Sequence, residues 1–113
     1  MKTLEEKQQM IAEFVGHESS HFPKHYHLHK INLPLTKLED LKFNSSWDWL
    51  MSVVENIESM GFSTSTNTIG AQHQVTKFEI FSGGASVLHS IDKSKKQAIF
   101  NAVVQFIEWY NEN

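Results

Sequence analysis

Apolar residues recur at helical spacing in three stretches of the chain and at alternate positions between them. In residues 3–15, Leu4, Met10, Ile11, Phe14 and Val15 form a narrow stripe, which predicts an amphipathic helix. Thr3 and Glu6 have the S/T-x-x-E spacing of a capping box, and Gly16 stands where a helix C′ residue belongs. Residues 46–60 predict a second helix. Trp47, Leu50, Met51, Val54 and Ile57 line one stripe, and Trp49, Val53 and Met60 widen it to about 200°. Ser45 or Ser46 can cap it, Asp48 places a negative charge near its start, and Gly61 ends it. Residues 93–110 predict the third helix, with Ile99, Ala102, Val103, Phe106 and Tyr110 as its main stripe. Phe100, Val104 and Ile107 lie beside that stripe and Trp109 flanks it, so the apolar arc reaches roughly 240°. Ser94 and Gln97 repeat the capping-box spacing.

The remaining segments read as strands. Residues 62–69, rich in Thr and Ser, and residues 73–81, with Val75, Phe78, Ile80 and Phe81, precede a Ser82-Gly83-Gly84 hairpin turn. Ala85, Val87, His89 and Ile91 alternate on the strand that follows. Residues 25–33 predict a strand in which the apolar set moves from Tyr26 and Leu28 to Ile31 and Leu33, the mark of a bulge or kink, with Pro34 ending it. Residues 36–43 read equally as a short strand or an irregular turn. The order α-β-(β)-α-β-β-β-α predicts a single α+β domain over 1–113: an antiparallel sheet of three to five strands with helices on one face. The arcs of helices two and three exceed what one sheet face covers. Either the two helices also pack on each other, or one serves a subunit interface, the reading that suggests a homo-oligomer.

Composition narrows the chemistry. The 113 residues carry a formal charge of −3, and all ten cations are Lys. Without Arg for bidentate contacts to guanine or phosphate, sequence-specific nucleic-acid reading is not expected. There is no cysteine, which excludes disulfides, thiolate chemistry and Cys-held zinc. The polar start MKTLEEKQQM is unlike a signal peptide, and no apolar run reaches the ~18–20 residues of a membrane span. A soluble cytoplasmic protein with no membrane partner is the expectation.

Three groups of residues carry candidate sites. Five of the seven histidines fall between His17 and His29, and His25, His27 and His29 alternate. In an extended chain these three stand on one face, and an H-x-H strand can place two imidazoles on one ion. His21, His73 or His89 would supply a third ligand. The cofactor expectation is none, with zinc or another divalent ion as the alternative that the histidines leave open. No second-shell carboxylate is evident, so a His-rich solvated strand competes with this reading. The start of helix three gathers Lys93, Ser94, Lys95 and Lys96 at a positive dipole end suited to phosphate or carboxylate, where an ordinary capped helix start is the plainer reading. Trp47 and Tyr110 are expected in the core; Trp49 and Trp109, at the margins of their stripes, could stack a base or ring or anchor a partner. No GxSxG, P-loop, HExxH or GxGxxG motif occurs.

Residues 45–61, SSWDWLMSVVENIESMG, resemble a tryptophan-rich helix found in a group of small proteins of Bacteroidota and their phages, mostly without assigned activity. The opening EEKQQMIAEFVG and the closing AVVQFIEWYN are similar to the two ends of the same group. The group usually has Pro after the Met, where this chain has Ser52. The resemblance implies a phage or prophage setting and carries over no catalytic residues. Together these observations predict a non-enzymatic binding module that acts on a host protein or sequesters a small anionic ligand such as a nucleotide messenger. Lys93 to Lys96 would hold the phosphates, and Trp49 or Trp109 the base. The alternatives are a metal-dependent hydrolase built on His25 and His27, and a structural or assembly protein of a mobile element.

Overall fold

The computed structural model describes residues 2–72 and 74–112. Among these residues the fold is α+β, with three α-helices and two antiparallel three-stranded sheets in place of the one sheet expected. Two compact units divide the chain, residues 1–56 and residues 57–113. Among the described residues no helix is long and apolar enough to cross a membrane.

In the first unit, α1 (Leu4–Val15) begins as expected. Thr3 and Glu6 make both arms of the capping box. Its end is different. Gly16 is extended rather than left-handed (φ −172), so backbone handedness does not explain the glycine. Space does: a β-carbon there would run into the main-chain carbonyl of His27. The chain passes straight into β1 (His17–Glu18), which pairs with β2 (His25–Leu28). A 3-10 turn at His29–Ile31, with Asn32 left-handed, then reverses the chain into β3 (Leu33–Lys37). The shift in apolar phase after Leu28 marks a reversal between two strands, and the β2–β3 register also slips between Tyr26 and Leu28, an irregularity of the kind the sequence predicts. Pro34 lies inside β3, the edge of this sheet, where its missing N–H is tolerated. A second 3-10 turn, Leu38–Asp40, resolves the segment that sequence left open.

Tyr26 and Leu28 point inward with Ile11, Ala12, Val15, Leu41 and Phe43, all fully or nearly buried. The stripe on α1 is rotated from its apolar reading: Leu4 is 51 % exposed and Gln8 is buried. Tyr26 is wholly buried, and its hydroxyl completes no hydrogen bond. Burial raises its pKa above the usual value, and the Glu18 and Glu13 carboxylates add to the rise. The Gln9 side chain opposes the shift and is the smallest of these influences. Tyr26→Phe is expected to leave stability unchanged or to raise it by about 1 kcal/mol. Because the folded-state pKa is raised, wild-type stability is complete below the ordinary tyrosine pKa of ~10 and declines as pH climbs past it. The Phe variant should lack that share of the alkaline decline. A urea titration at neutral and alkaline pH checks both; a marked loss of stability at neutral pH would show that the hydroxyl has a partner after all.

Helix α2 (Trp47–Ser59) is capped by Ser46, whose Oγ accepts from the Trp49 N–H. Leu50, Val53, Val54 and Ile57 are its buried residues. Trp47, expected in the core, is 40 % exposed.

In the second unit, β4 (Ser63–Ile69), β5 (Val75–Ser82) and β6 (Ala85–Asp92) form a meander, and α3 (Lys95–Glu112) packs on β5 and β6. Gly83 and Gly84, both at positive φ, make the two-residue β5–β6 turn, as a type I′ hairpin requires. Thr76, Phe78 and Ile80 are the buried residues of β5. Their register partners Asp92, Ser90 and Leu88 share that face. The alternating set on β6 thus lies largely on the opposite face: His89 pairs with Glu79 and Ile91 with Lys77, and Ile91 is 49 % exposed. A bulge opposite Ile80 and Phe81 leaves Val87 as the extra residue. On α3, Ala98, Ile99, Phe100, Ala102, Val103, Val104, Phe106 and Ile107 are all buried in the isolated chain. The wide arc therefore gives no reason of its own for a second copy. Tyr110, expected in the core, is 41 % exposed, with its ring stacked on Phe106.

Candidate functional site

The structure separates the alternating histidines. Only His25 and His27 lie in β2, on its outer side, and His29 begins the following turn. His27 is drawn instead to His17, its cross-strand partner in β1. The His17 ring centre stands 5.0 Å from that of His27 and 5.3 Å from that of His29. The missing signal was β1 itself, since two residues between a helix and a loop leave no periodicity to read. Among the described residues, no three His, Asp or Glu side chains are placed to hold a metal ion. His21 and His89 complete no such group, and His73 lies outside the described residues. The metal-dependent hydrolase is left without a ligand set there.

His25 turns to a different neighbourhood. Its Nδ1 is 2.9 Å from the Pro23 carbonyl oxygen, and its ring centre is 5.7 Å from that of Phe22. Here Glu5, Pro23, Lys24, His25, Lys37, Leu38 and Glu39 line a cleft of about 410 Å³. Three local features build it. His25 and Lys37 are direct register partners on β2 and β3. The 3-10 turn after β3 supplies Leu38 and Glu39, and the start of α1 supplies Glu5. Lys24 adopts a left-handed conformation (φ 57) that aims the chain into β2. Its N–H donates to Glu18 Oε2 at 2.8 Å, and its carbonyl accepts from the Leu38 N–H at 2.8 Å. Glu18 on β1 and Leu38 beyond β3 thus hold Lys24 on both sides. Phe22, next to the cleft, is 55 % exposed. Sequence reading missed Lys24, Lys37 and Phe22. No motif marks them, because a left-handed lysine is visible only in coordinates.

Of the ligand set expected at helix three, Lys93, Ser94, Lys95 and Lys96 stand together at its start. Ser94 caps α3: its Oγ accepts from the Gln97 N–H at 3.2 Å. The reverse arm of the capping box is absent. Gln97 bonds Asn101 instead, and the Ser94 N–H donates to Asp92 Oδ1 at 2.9 Å. A carboxylate thus already sits where an anion would bind beside Lys93, Lys95 and Lys96. Trp109 lies fourteen residues beyond Lys95 on the same helix, roughly 21 Å along its axis. One nucleotide cannot span the two. Trp109 packs with Phe62 and Phe106, at ring-centre distances of 6.1 and 5.8 Å. In the first unit, Trp49 meets Phe43 edge-on at 5.1 Å, and Lys42 Nζ lies 5.5 Å from its ring centre. Trp49 and Trp109 are each half-buried.

No protein-family model matches this chain, and comparisons with curated proteins and with solved structures also return no match.

Proposed function

We propose that this protein is a non-enzymatic binding module that holds a small anionic ligand in the cleft of its first unit. Lys24 is the observation that carries this reading. A left-handed lysine has no short polar side chain to ease the conformation, as Asn does, and the strain is of order 1 kcal/mol. Glycine would remove that strain. Lysine at this position instead sets a cation beside His25 and Lys37. Strain held at a cleft is the pattern expected where a side chain serves a ligand rather than the fold.

The lining also limits the ligand class. Lys24 and Lys37 suit phosphate or carboxylate groups, and Glu5 and Glu39 suit hydroxyl or amino donors. The exposed Phe22 ring beside His25 offers a face for stacking a base. A nucleotide combines all three. Sequestration without turnover fits the absence of any catalytic motif in the sequence, and the resemblance to proteins of phages agrees with such a role.

Lys24→Gly separates the two demands on this residue. The variant should gain about 1 kcal/mol of stability by relieving the left-handed strain. It should also bind at least about tenfold more weakly, through loss of a charge-assisted contact. Calorimetric titration with linear and cyclic nucleotides, at low and moderate salt, measures the affinity, which should weaken as salt rises. If no nucleotide binds the wild type, or Lys24→Gly binds as well as it does, the reading is wrong.

A further inference from the structure

We propose that β4 is the edge through which two copies of this chain pair, antiparallel and centred on Thr66, to make one continuous six-stranded sheet. The second sheet has two edges, β4 and β6. Proteins blunt exposed edges with charges, prolines and bulges, and the two edges here are treated differently. β6 is broken by the bulge at Val87 and carries Asp92. β4 runs through seven consecutive pairs with β5, from Ser63 opposite Phe81 to Ile69 opposite Val75, with no irregularity. Its sequence, STSTNTI, contains no charge and no proline. Among the described residues, its main chain bonds to β5 and to no other segment. Residues 66–69 are exposed.

The strand's own sequence favours a second copy as the occupant. Antiparallel pairing about Thr66 sets Thr66 against Thr66, Thr64 against Thr68, and Ser65 against Asn67. Thr–Thr and Ser–Asn neighbours suit adjacent strands, and no like charges oppose each other. Such a contact is isologous, so it uses up both unguarded edges and closes at two copies. The bulge and charge on β6 block further growth.

Sedimentation velocity on the full chain, from micromolar to about 1 mM, tests the proposal; even weak association is populated at the upper limit. The wild type should shift with concentration toward twice the 13.0 kDa chain mass. Ser65→Lys/Asn67→Lys puts like charges opposite each other on both sides of the axis and should weaken pairing at least about tenfold. Ser65→Lys/Asn67→Glu makes the same positions complementary and should pair as tightly as the wild type or more so. Circular dichroism confirms that each variant is folded. A wild type that stays monomeric throughout, a Lys/Lys variant that pairs like the wild type, or growth beyond two copies would each overturn the proposal.

Discussion

Replacing Gly16 with alanine is expected to lower stability by about 3 kcal/mol or more. The thermal midpoint should fall by about 10 °C. The added methyl meets the main-chain carbonyl of His27, and the Leu28 Cα lies behind it at 3.1 Å. A flexible side chain could turn away from such a clash, but backbone in a paired strand cannot. Relief therefore requires β1 and β2 to part, and with them the inward Tyr26 and Leu28. The extended backbone at Gly16 suits alanine, so the whole effect is one of space. Gly83→Ala is the contrasting control. No atom lies near its added methyl, and only the positive φ resists the change, at about 1 kcal/mol. The account fails if differential scanning calorimetry finds Gly16→Ala within about 2 °C of the wild type, a shift below that of 1 kcal/mol for a chain of this size.

Gln8→Met should destabilise by about 2–3 kcal/mol despite its similar volume. Gln8 is a buried polar residue on the inner face of α1. Its Oε1 accepts from the buried Phe43 N–H at 3.0 Å, and its Nε2 donates to Asn44 Oδ1 at 2.6 Å. One side chain thus satisfies the irregular segment before α2, whose main chain has no ladder of its own there. Methionine fills the space and leaves the Phe43 amide without an acceptor, which is the costly half of a hydrogen bond to lose. Hydrogen exchange locates the effect. Protection of the Phe43 amide should fall at least about tenfold, following the loss of stability, and unchanged protection would contradict the assignment.

Gln8 also shows where sequence reading reached its limit. The buried stripe Gln8, Ile11, Ala12, Val15 has helical spacing, but the apolar pattern shares only Ile11 and Val15 with it, since Gln8 is polar and Ala12 small. The three helices, their starts at Thr3, at Ser45 or Ser46 and at Ser94, and the β4–β5–β6 meander were all legible, the structure choosing Ser46 as the second cap. Each rests on local rules of capping, period and turn chemistry. The outcome differed wherever tertiary contacts decide. Gly16 suits a helix end and is kept for room against a strand. The apolar residues of β6 alternate correctly but face outward, because pairing with Phe78 and Ile80 sets Ser90 and Leu88 on the inner side. Trp47 and Tyr110 lie at the ends of their helices, where a stripe can run past the core it covers. The candidate cleft was illegible apart from His25. Its residues come from three separated stretches, Glu5, residues 23–25 and residues 37–39, and share no spacing, and the feature that marks it is a single dihedral angle.

The distribution of tryptophans has an optical consequence. Trp47 and Trp49 belong to the first unit, and Trp109 alone reports on the second. Trp109 sits edge-on to Phe62 in an aromatic cluster, so its emission should redden and change intensity when that cluster comes apart. A Trp47→Phe/Trp49→Phe chain would therefore emit from the second unit only, and a Trp109→Phe chain from the first only. Fluorescence melts of the two variants, overlaid on far-ultraviolet melts of each, would show whether the halves of this protein unfold in one cooperative transition or in two.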